Sequence, residues 1–161
     1  METKVYTGRY TTENDQDVVV FIIGMCINKI LAIRKWGPVF MAMPRMIQEL
    51  YKNQDELGFL STESYLGLRT TMMVQYWRST EDLLAYAKGK KHLTAWQHFN
   101  KKVGENDAVG FYHETYQIKA GTYESVYRNM PLFGMGNAGN HIPIDAQHNS
   151  ARKRLQGMKA K

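Results

Sequence analysis

One apolar stretch, Val18-Val19-Val20-Phe21-Ile22-Ile23-Gly24-Met25-Cys26, decides how the rest of the chain is interpreted. Its side chains are apolar at odd and even positions alike, whereas a strand with one face in water alternates apolar and polar residues. The stretch therefore predicts a central β-strand that is covered on both faces. Any fold for this chain has to supply a layer on each side of that strand.

The segment after this strand has a helical pattern from residue 28 to residue 51, interrupted by Pro38 and Pro44. Proline is tolerated in the first turn of a helix but breaks its interior. We therefore expect a short helical piece, followed by a helix that begins near one of the two prolines and ends near Lys52.

Two strands and the start of another helix follow. Residues 58–68 and 70–78 have strand patterns, and the short glycine-containing connection between them favours an antiparallel hairpin. Ser79 followed by Glu81 and Asp82 is typical of a helix N-terminus, where a hydroxyl cap and acidic side chains satisfy and complement the free N–H groups.

The order of elements predicts the fold class. A further helical segment runs from Lys91 to about Lys102, and Val109–Ile118 is rich in aromatic and β-branched residues, as a fourth strand would be. The order β-α-β-β-α-β is the ferredoxin-like arrangement, an α+β fold with both helices on one face of a four-stranded antiparallel sheet. Because the first strand needs cover on its other face too, we expect a homodimer in which two sheets face each other; a C-terminal arm that covers the face in cis is the alternative.

We expect a single folded domain with appendages. The predicted divisions are an N-terminal extension (1–14), the ferredoxin-like domain (15–120), an ordered C-terminal arm (121–144) and a basic, flexible tail (145–161).

The charge of the chain lies mainly in its tail. The chain has 21 basic and 15 acidic residues among 161, and five of the basic residues fall within residues 150–161, which leaves 16 against 15 elsewhere. A short basic tail is a weak indication of nucleic-acid binding, which we do not expect. The single cysteine and the lack of a long apolar run or signal-peptide pattern favour a cytoplasmic protein without a membrane partner.

Several stretches resemble a known superfamily. Val74–Leu84 and His92–Trp96 resemble the third strand and second helix of the dimeric α+β barrel proteins, which include antibiotic-biosynthesis-type monooxygenases and small haem-degrading oxygenases. A branch of that superfamily, which includes an oxygenase-like protein of fumagillin-type terpenoid biosynthesis, resembles the chain more closely. The stretches similar to that branch are Trp36–Val39, Met43–Leu50, Gly110–Tyr116 and Asn129–Gly134.

The resemblance implies a dimeric α+β barrel and a pocket between sheet and helices. It implies that Trp77 lines this pocket; ordinary core packing of a large aromatic side chain is the alternative. Met73 and Gln75 share the strand face of Trp77 and are candidate pocket residues with it, as is Trp96 from the following helix. The small haem-degrading oxygenases carry their haem ligand in this helix, which makes His98 a candidate haem ligand, although the match by position falls nearer Trp96 or Gln97. His113 is the other candidate for that role. His92 and His98 are six residues apart and do not share a helix face, so we predict no metal site made from the pair.

His113 is singled out by its position inside a predicted strand. An imidazole within a sheet is either hydrogen-bonded as part of the structure or faces a cavity, where it can move protons near neutral pH. We take His113 as the candidate base, with Trp77 and Tyr112 as accompanying catalytic residues. Arg45, on the edge of an apolar helix face, either extends into solvent, pairs with Glu49 or anchors an anionic group in the pocket.

The sequence predicts a small monooxygenase acting on a hydrophobic substrate, either without a cofactor or with haem. In the cofactor-independent form, the protein supplies a base, positioning and exclusion of water. The alternative is a non-catalytic dimer that binds a small hydrophobic ligand or haem in the same cavity.

Overall fold

The computed structural model describes residues 3–89, 92–94, 97, 100 and 107–157. Its strands are β1 (Tyr6–Thr12), β2 (Val18–Ile27), β3 (Phe59–Leu66), β4 (Thr70–Trp77), β5 (Val109–Ile118), β6 (Tyr127–Met130) and β7 (His141–Pro143). Its helices are α1 (Ile33–Lys52), α2 (Gln54–Leu57), α3 (Thr80–Lys88), α4 (Met135–Ala138) and α5 (Ala151–Gly157). The predicted β-α-β-β-α-β series corresponds to β2, α1, β3, β4, α3 and β5.

The main sheet has four antiparallel strands in the order β3-β4-β2-β5, which confirms the ferredoxin-like prediction. Strand β2 is central, as its apolar composition indicates. Phe21 pairs with Gln75 on β4 and with Thr115 on β5. Two residues further along β2, Ile23 pairs with Met73 and His113. Because side chains alternate between faces, these residues all face the same side of the sheet, toward α1 and α3.

Helix α1 is one continuous helix from Ile33 to Lys52, so the predicted break at the prolines is wrong. Each proline removes one hydrogen bond from the helical ladder. The helix is held against the sheet on both sides of the prolines: Trp36 and Phe40 pack near Met25, and Leu50 belongs to the buried core. Packing at both ends keeps the backbone helical despite the missing bonds.

Two buried clusters lie at opposite ends of the sheet's helix-covered face. One is formed by Val19, Leu50, Phe59, Trp77 and Leu83. The other is formed by Met25, Ile27 and Val109, with Trp36, Val39 and Phe40 packed against it. The region between them is where the sheet and helices leave a cavity.

The N-terminal extension and the arm form a second sheet that the sequence does not reveal. Strand β1 lies between β6 and β7, all antiparallel. Thr11 and Thr12 of β1 are buried although both are polar, which is why no apolar pattern marks this strand. The arm also contacts the main sheet, since the Gly134 backbone N–H donates to the Glu63 carboxylate (2.8 Å) and Ser61 donates to the Gly134 carbonyl (3.3 Å).

The C-terminal segment, expected to be a flexible basic tail, contains helix α5. Arg154 of this helix is only 4% exposed and donates to the Glu124 carboxylate at 2.7 Å. The Asn14 side chain donates to the Arg154 carbonyl at 3.1 Å, which joins α5 to the N-terminal region. The first part of the predicted tail is therefore packed.

Candidate active site

A cavity of about 540 Å³ lies between the main sheet and helices α1 and α3. Its wall is mainly apolar and includes Phe21, Ile23, Met43, Met46, Ile47 and Met73. A space of this size and composition suits a small hydrophobic molecule. The abundance of methionine allows the wall to adapt to the shape of its ligand.

A few polar side chains face the same cavity. Among the described lining residues they are Lys35, Gln75, Tyr86, His92, His113 and Thr115. No carboxylate is among them. Tyr86 is half-buried near Glu49, and its pKa is raised to about 12, mainly by burial, so the phenol stays neutral and can donate a hydrogen bond.

His113 lies on the edge strand β5, on the cavity side. Its imidazole packs against the Phe21 ring, with ring centres 5.6 Å apart. Among the described residues the imidazole has no hydrogen-bond partner, and its side chain is exposed. The ring nitrogens are thus available to a molecule in the cavity.

His92 is a second imidazole at the cavity, one that no feature of the sequence marks as a site residue. Its Nδ1 atom lies 3.1 Å from the Ala87 carbonyl oxygen, and its ring lies 5.2 Å from that of Tyr86. A carbonyl partner requires the proton on Nδ1 and leaves the Nε2 lone pair free. No spacing in the sequence indicates this contact, because it depends on how the chain turns after α3.

Trp77 is fully buried and belongs to the core cluster, not to the described cavity lining. Its indole N–H donates to the side-chain oxygen of Gln75 at 3.1 Å. Gln75 and Met73 line the cavity. Trp77 therefore lies beyond the end of the cavity and orients Gln75, one of the polar lining residues, through this hydrogen bond.

Two further candidate residues, Tyr112 and Arg45, lie away from the cavity. Tyr112 follows the opposite parity on β5 and lies on the other face of the sheet, where its hydroxyl is near Gly24. Arg45 is exposed on α1 and is not among the lining residues. Trp96 and His98 lie outside the described residues, so their predicted roles stay predictions.

Two other kinds of feature are absent from the described residues. No group of three or more histidine, cysteine, aspartate or glutamate side chains is arranged to hold a metal ion. None of the described helices is both long enough and apolar enough to cross a membrane.

The fold and the cavity define an α+β protein of the ferredoxin-like class with a mainly apolar cavity between sheet and helices. The chain belongs to the monooxygenase af470-like family, whose model matches residues 18–135. This match confirms the resemblance to a monooxygenase-like branch of the α+β barrel superfamily.

Monooxygenase af470 of Aspergillus fumigatus is 30% identical to the chain over 122 residues. The match covers 70% of this chain and 42% of that relative, so the chain spans less than half of the relative's length.

Two solved structures of aldoxime dehydratases share the fold, each with a TM-score of 0.69. One, in complex with butyraldoxime, is 16% identical, and the match covers 86% of this chain and 44% of that one. The other is 18% identical, with 91% and 46% covered. At these identities the likeness shows the fold alone.

Proposed function

We propose that this protein is a monooxygenase that binds a small hydrophobic substrate in the cavity between the main sheet and helices α1 and α3. The observation that carries the proposal is the apolar cavity of about 540 Å³ with His113 and Gln75 on one wall. Membership of a monooxygenase-like family supports the reaction class.

The proposed reaction converts an acidic C–H₂ group of the substrate to a carbonyl. His113 removes a proton, and the resulting carbanion passes one electron to O₂. The substrate radical and superoxide then combine to form a C–O bond, and the peroxide takes up the proton from His113. Loss of water leaves one oxygen atom in the product and one in water, so the only oxidant consumed is O₂.

Gln75 is suited to stabilise the charge that forms on the substrate. Its side-chain oxygen accepts the Trp77 indole N–H, which leaves the amide NH₂ as the group that can donate toward the cavity. A donor aimed at a developing enolate oxygen lowers the barrier to proton removal. The apolar wall excludes water, which strengthens this interaction and protects the carbanion.

The residues at the cavity also fit a haem group. Two imidazoles, His92 and His113, line an apolar space, and either would hold the iron. The contact between His92 Nδ1 and the Ala87 carbonyl is the kind of contact that orients metal-binding histidines. When bound, haem would supply the activation of O₂, while the cavity wall would still bind the substrate and exclude water.

The first experiment is the visible spectrum of the purified protein, before and after addition of haem. A Soret band that is lost in His92→Ala or His113→Ala would identify the ligand. A colourless protein that takes up no haem is tested for oxygen uptake with quinol-like and terpenoid-like substrates, using ¹⁸O₂ to follow one oxygen atom into the product. Hydrophobic ligands that bind without any oxygen uptake, in a protein with or without haem, would favour the non-catalytic binding protein instead.

We also infer that two copies pair through the main sheet. The arm covers the β3 side of the face opposite the cavity, where Gly134 approaches Glu63 and Tyr76. On the β5 side, Tyr112 and Tyr116 stay exposed. The two explanations for the doubly apolar β2 strand thus act together: the arm covers one half of the face and a second copy covers the other. Sedimentation equilibrium tests this pairing, and a monomer at micromolar concentration would contradict it.

A further inference from the structure

We propose that one end of the molecule docks on the surface of an anionic membrane through two neighbouring loop tips. These leucine tips are residues 28–33, the β2–α1 loop with the first residue of α1, and residues 66–69, the last residue of β3 with the turn of the β3–β4 hairpin. Leu31 is 95% exposed and Leu68 is fully exposed. The other exposed apolar side chains of the tips are Ile30, Ile33 and Leu66. Such a concentration of exposed apolar residues at one end usually marks an interaction surface.

The two tips form one surface because Arg69 joins them. The Ile27 backbone N–H donates to the Arg69 carbonyl at 2.6 Å, and the Arg69 side chain donates to the Ile27 carbonyl at 3.1 Å. Arg69 also donates to the Asn28 carbonyl. The two loops are therefore held next to each other at the same end of the sheet.

The charge around the tips favours an anionic lipid surface as the occupant. Residues 28–35 contain Lys29, Arg34 and Lys35 and no acidic residue, and Arg69 is the only charged residue of the hairpin turn. Lys29 forms an ion pair with Asp107 at 2.7 Å, and both side chains are exposed. Apolar side chains rimmed by lysine and arginine are typical of segments that insert shallowly among anionic headgroups, whereas lysine is depleted at protein interfaces.

The leucine tips lie next to one end of the cavity. Lys35 and Pro38, in the first turns of α1, are cavity-lining residues, as are Met25 and Phe111 at the same end of the sheet. A molecule dissolved in the membrane would thus meet the cavity close to the docked surface. The docking itself does not depend on the proposed reaction. The sequence predicts no membrane partner because it contains no long apolar run. Shallow docking on a membrane surface does not require a spanning segment.

The experiment measures co-sedimentation of the full chain with vesicles of phosphatidylcholine alone and of equimolar phosphatidylcholine and phosphatidylserine. We expect binding to the anionic vesicles that weakens with added salt. The Leu31→Ser, Leu68→Ser double variant should bind at least about tenfold more weakly, because each leucine loses its transfer from water. Arg34→Gln should bind about fivefold more weakly, the effect of one cation near the surface.

The matched control is the Met41→Ser, Val126→Ser double variant, which removes two exposed apolar side chains that lie outside the tips and should bind as the parent protein does. Thermal unfolding of each variant confirms that it is folded. Failure of the parent protein to bind anionic vesicles, or equal binding by the leucine variant, would overturn the proposal. So would a dimer that dissociates only in the leucine variant, since the tips would then be an interface between copies of the chain.

Discussion

The indole N–H of Trp77 donates to the side-chain oxygen of Gln75 at 3.1 Å, and this bond connects the buried core to the cavity wall. Both side chains are buried and come from the same face of β4. The bond fixes which end of the Gln75 amide can face the cavity. A buried core residue thus determines which group of the Gln75 side chain is presented to the cavity.

The Trp77→Phe variant should lose about 1–3 kcal/mol of unfolding free energy, because it leaves the buried oxygen of Gln75 without a donor and removes packing volume. Urea denaturation measures the loss. Trp36→Phe is the control: the Trp36 indole also donates to a carbonyl, that of Ile30 at 3.0 Å, but at a site that water can reach. Equal losses of unfolding free energy in the two variants would show that the buried Trp77 bond contributes no more to stability than the exposed Trp36 bond.

His113→Ala should lower the rate of substrate oxidation by about 10²–10⁴-fold, the usual contribution of a general base. Its unfolding free energy should change by less than about 0.5 kcal/mol, because the side chain is exposed. The control is Tyr112→Phe, which alters the neighbouring residue on the other face of the sheet. A His113→Ala protein with unchanged turnover and reduced stability would make His113 a structural residue.

The fold was predictable because its main elements are marked by local patterns. The doubly apolar β2 strand, the hairpin around Gly67 and the Ser79 helix start all have the predicted type and place, and Ser79 does accept the Asp82 N–H. The continuity of α1 was not predictable, since packing overrides the local effect of Pro38 and Pro44. Strand β1 was missed because its buried residues are threonines, which carry no apolar signal.

The candidate site was predictable only where strand parity determines it. Alternation along β4 and β5 places Met73, Gln75 and His113 on one face, and the structure has them at the cavity. Trp77 shares that parity but lies beyond the end of the cavity. Parity predicts the face of a side chain, not how far along the strand the cavity extends. His92 was missed because its contact with Ala87 arises from the turn after α3.

Stability should fall in acid partly because of Asp82. Its carboxylate accepts two hydrogen bonds from Arg78, at 2.9 and 3.0 Å, and one from Ser79 at 2.8 Å, and the Arg78 bonds above all lower the pKa of this carboxyl. A carboxyl whose pKa is lowered by folding stabilises the protein above its unfolded pKa, and the contribution is lost as the pH falls through the folded value.

The measurement compares Asp82→Asn with the parent protein at about pH 6 and about pH 3 by urea denaturation. We expect the variant to be less stable at the higher pH and the difference to shrink at the lower pH. In an Arg78→Gln background the same substitution should have a smaller effect, because the main partner is already gone. A difference that does not vary with pH would show that the carboxylate's charge is not what stabilises the helix start.

The last prediction concerns Arg154, in the segment whose sequence resembles a solvated basic tail. Its side chain donates to the Glu124 carboxylate at 2.7 Å and to the His148 carbonyl at 2.9 Å, and it is almost wholly buried. Arg154→Met should therefore cost about 1–3 kcal/mol of unfolding free energy, since it leaves both acceptors without their donor. Arg154→Lys should lose stability as well, because a single ammonium cannot reproduce the two directed bonds of the guanidinium.

The control is Arg152→Met, which removes an exposed cation from the same helix and should change the unfolding free energy by less than about 0.5 kcal/mol. Equal stability of the Arg154→Met and Arg152→Met proteins would mean that α5 contributes nothing to the fold and that the segment acts as the tail its charges suggest.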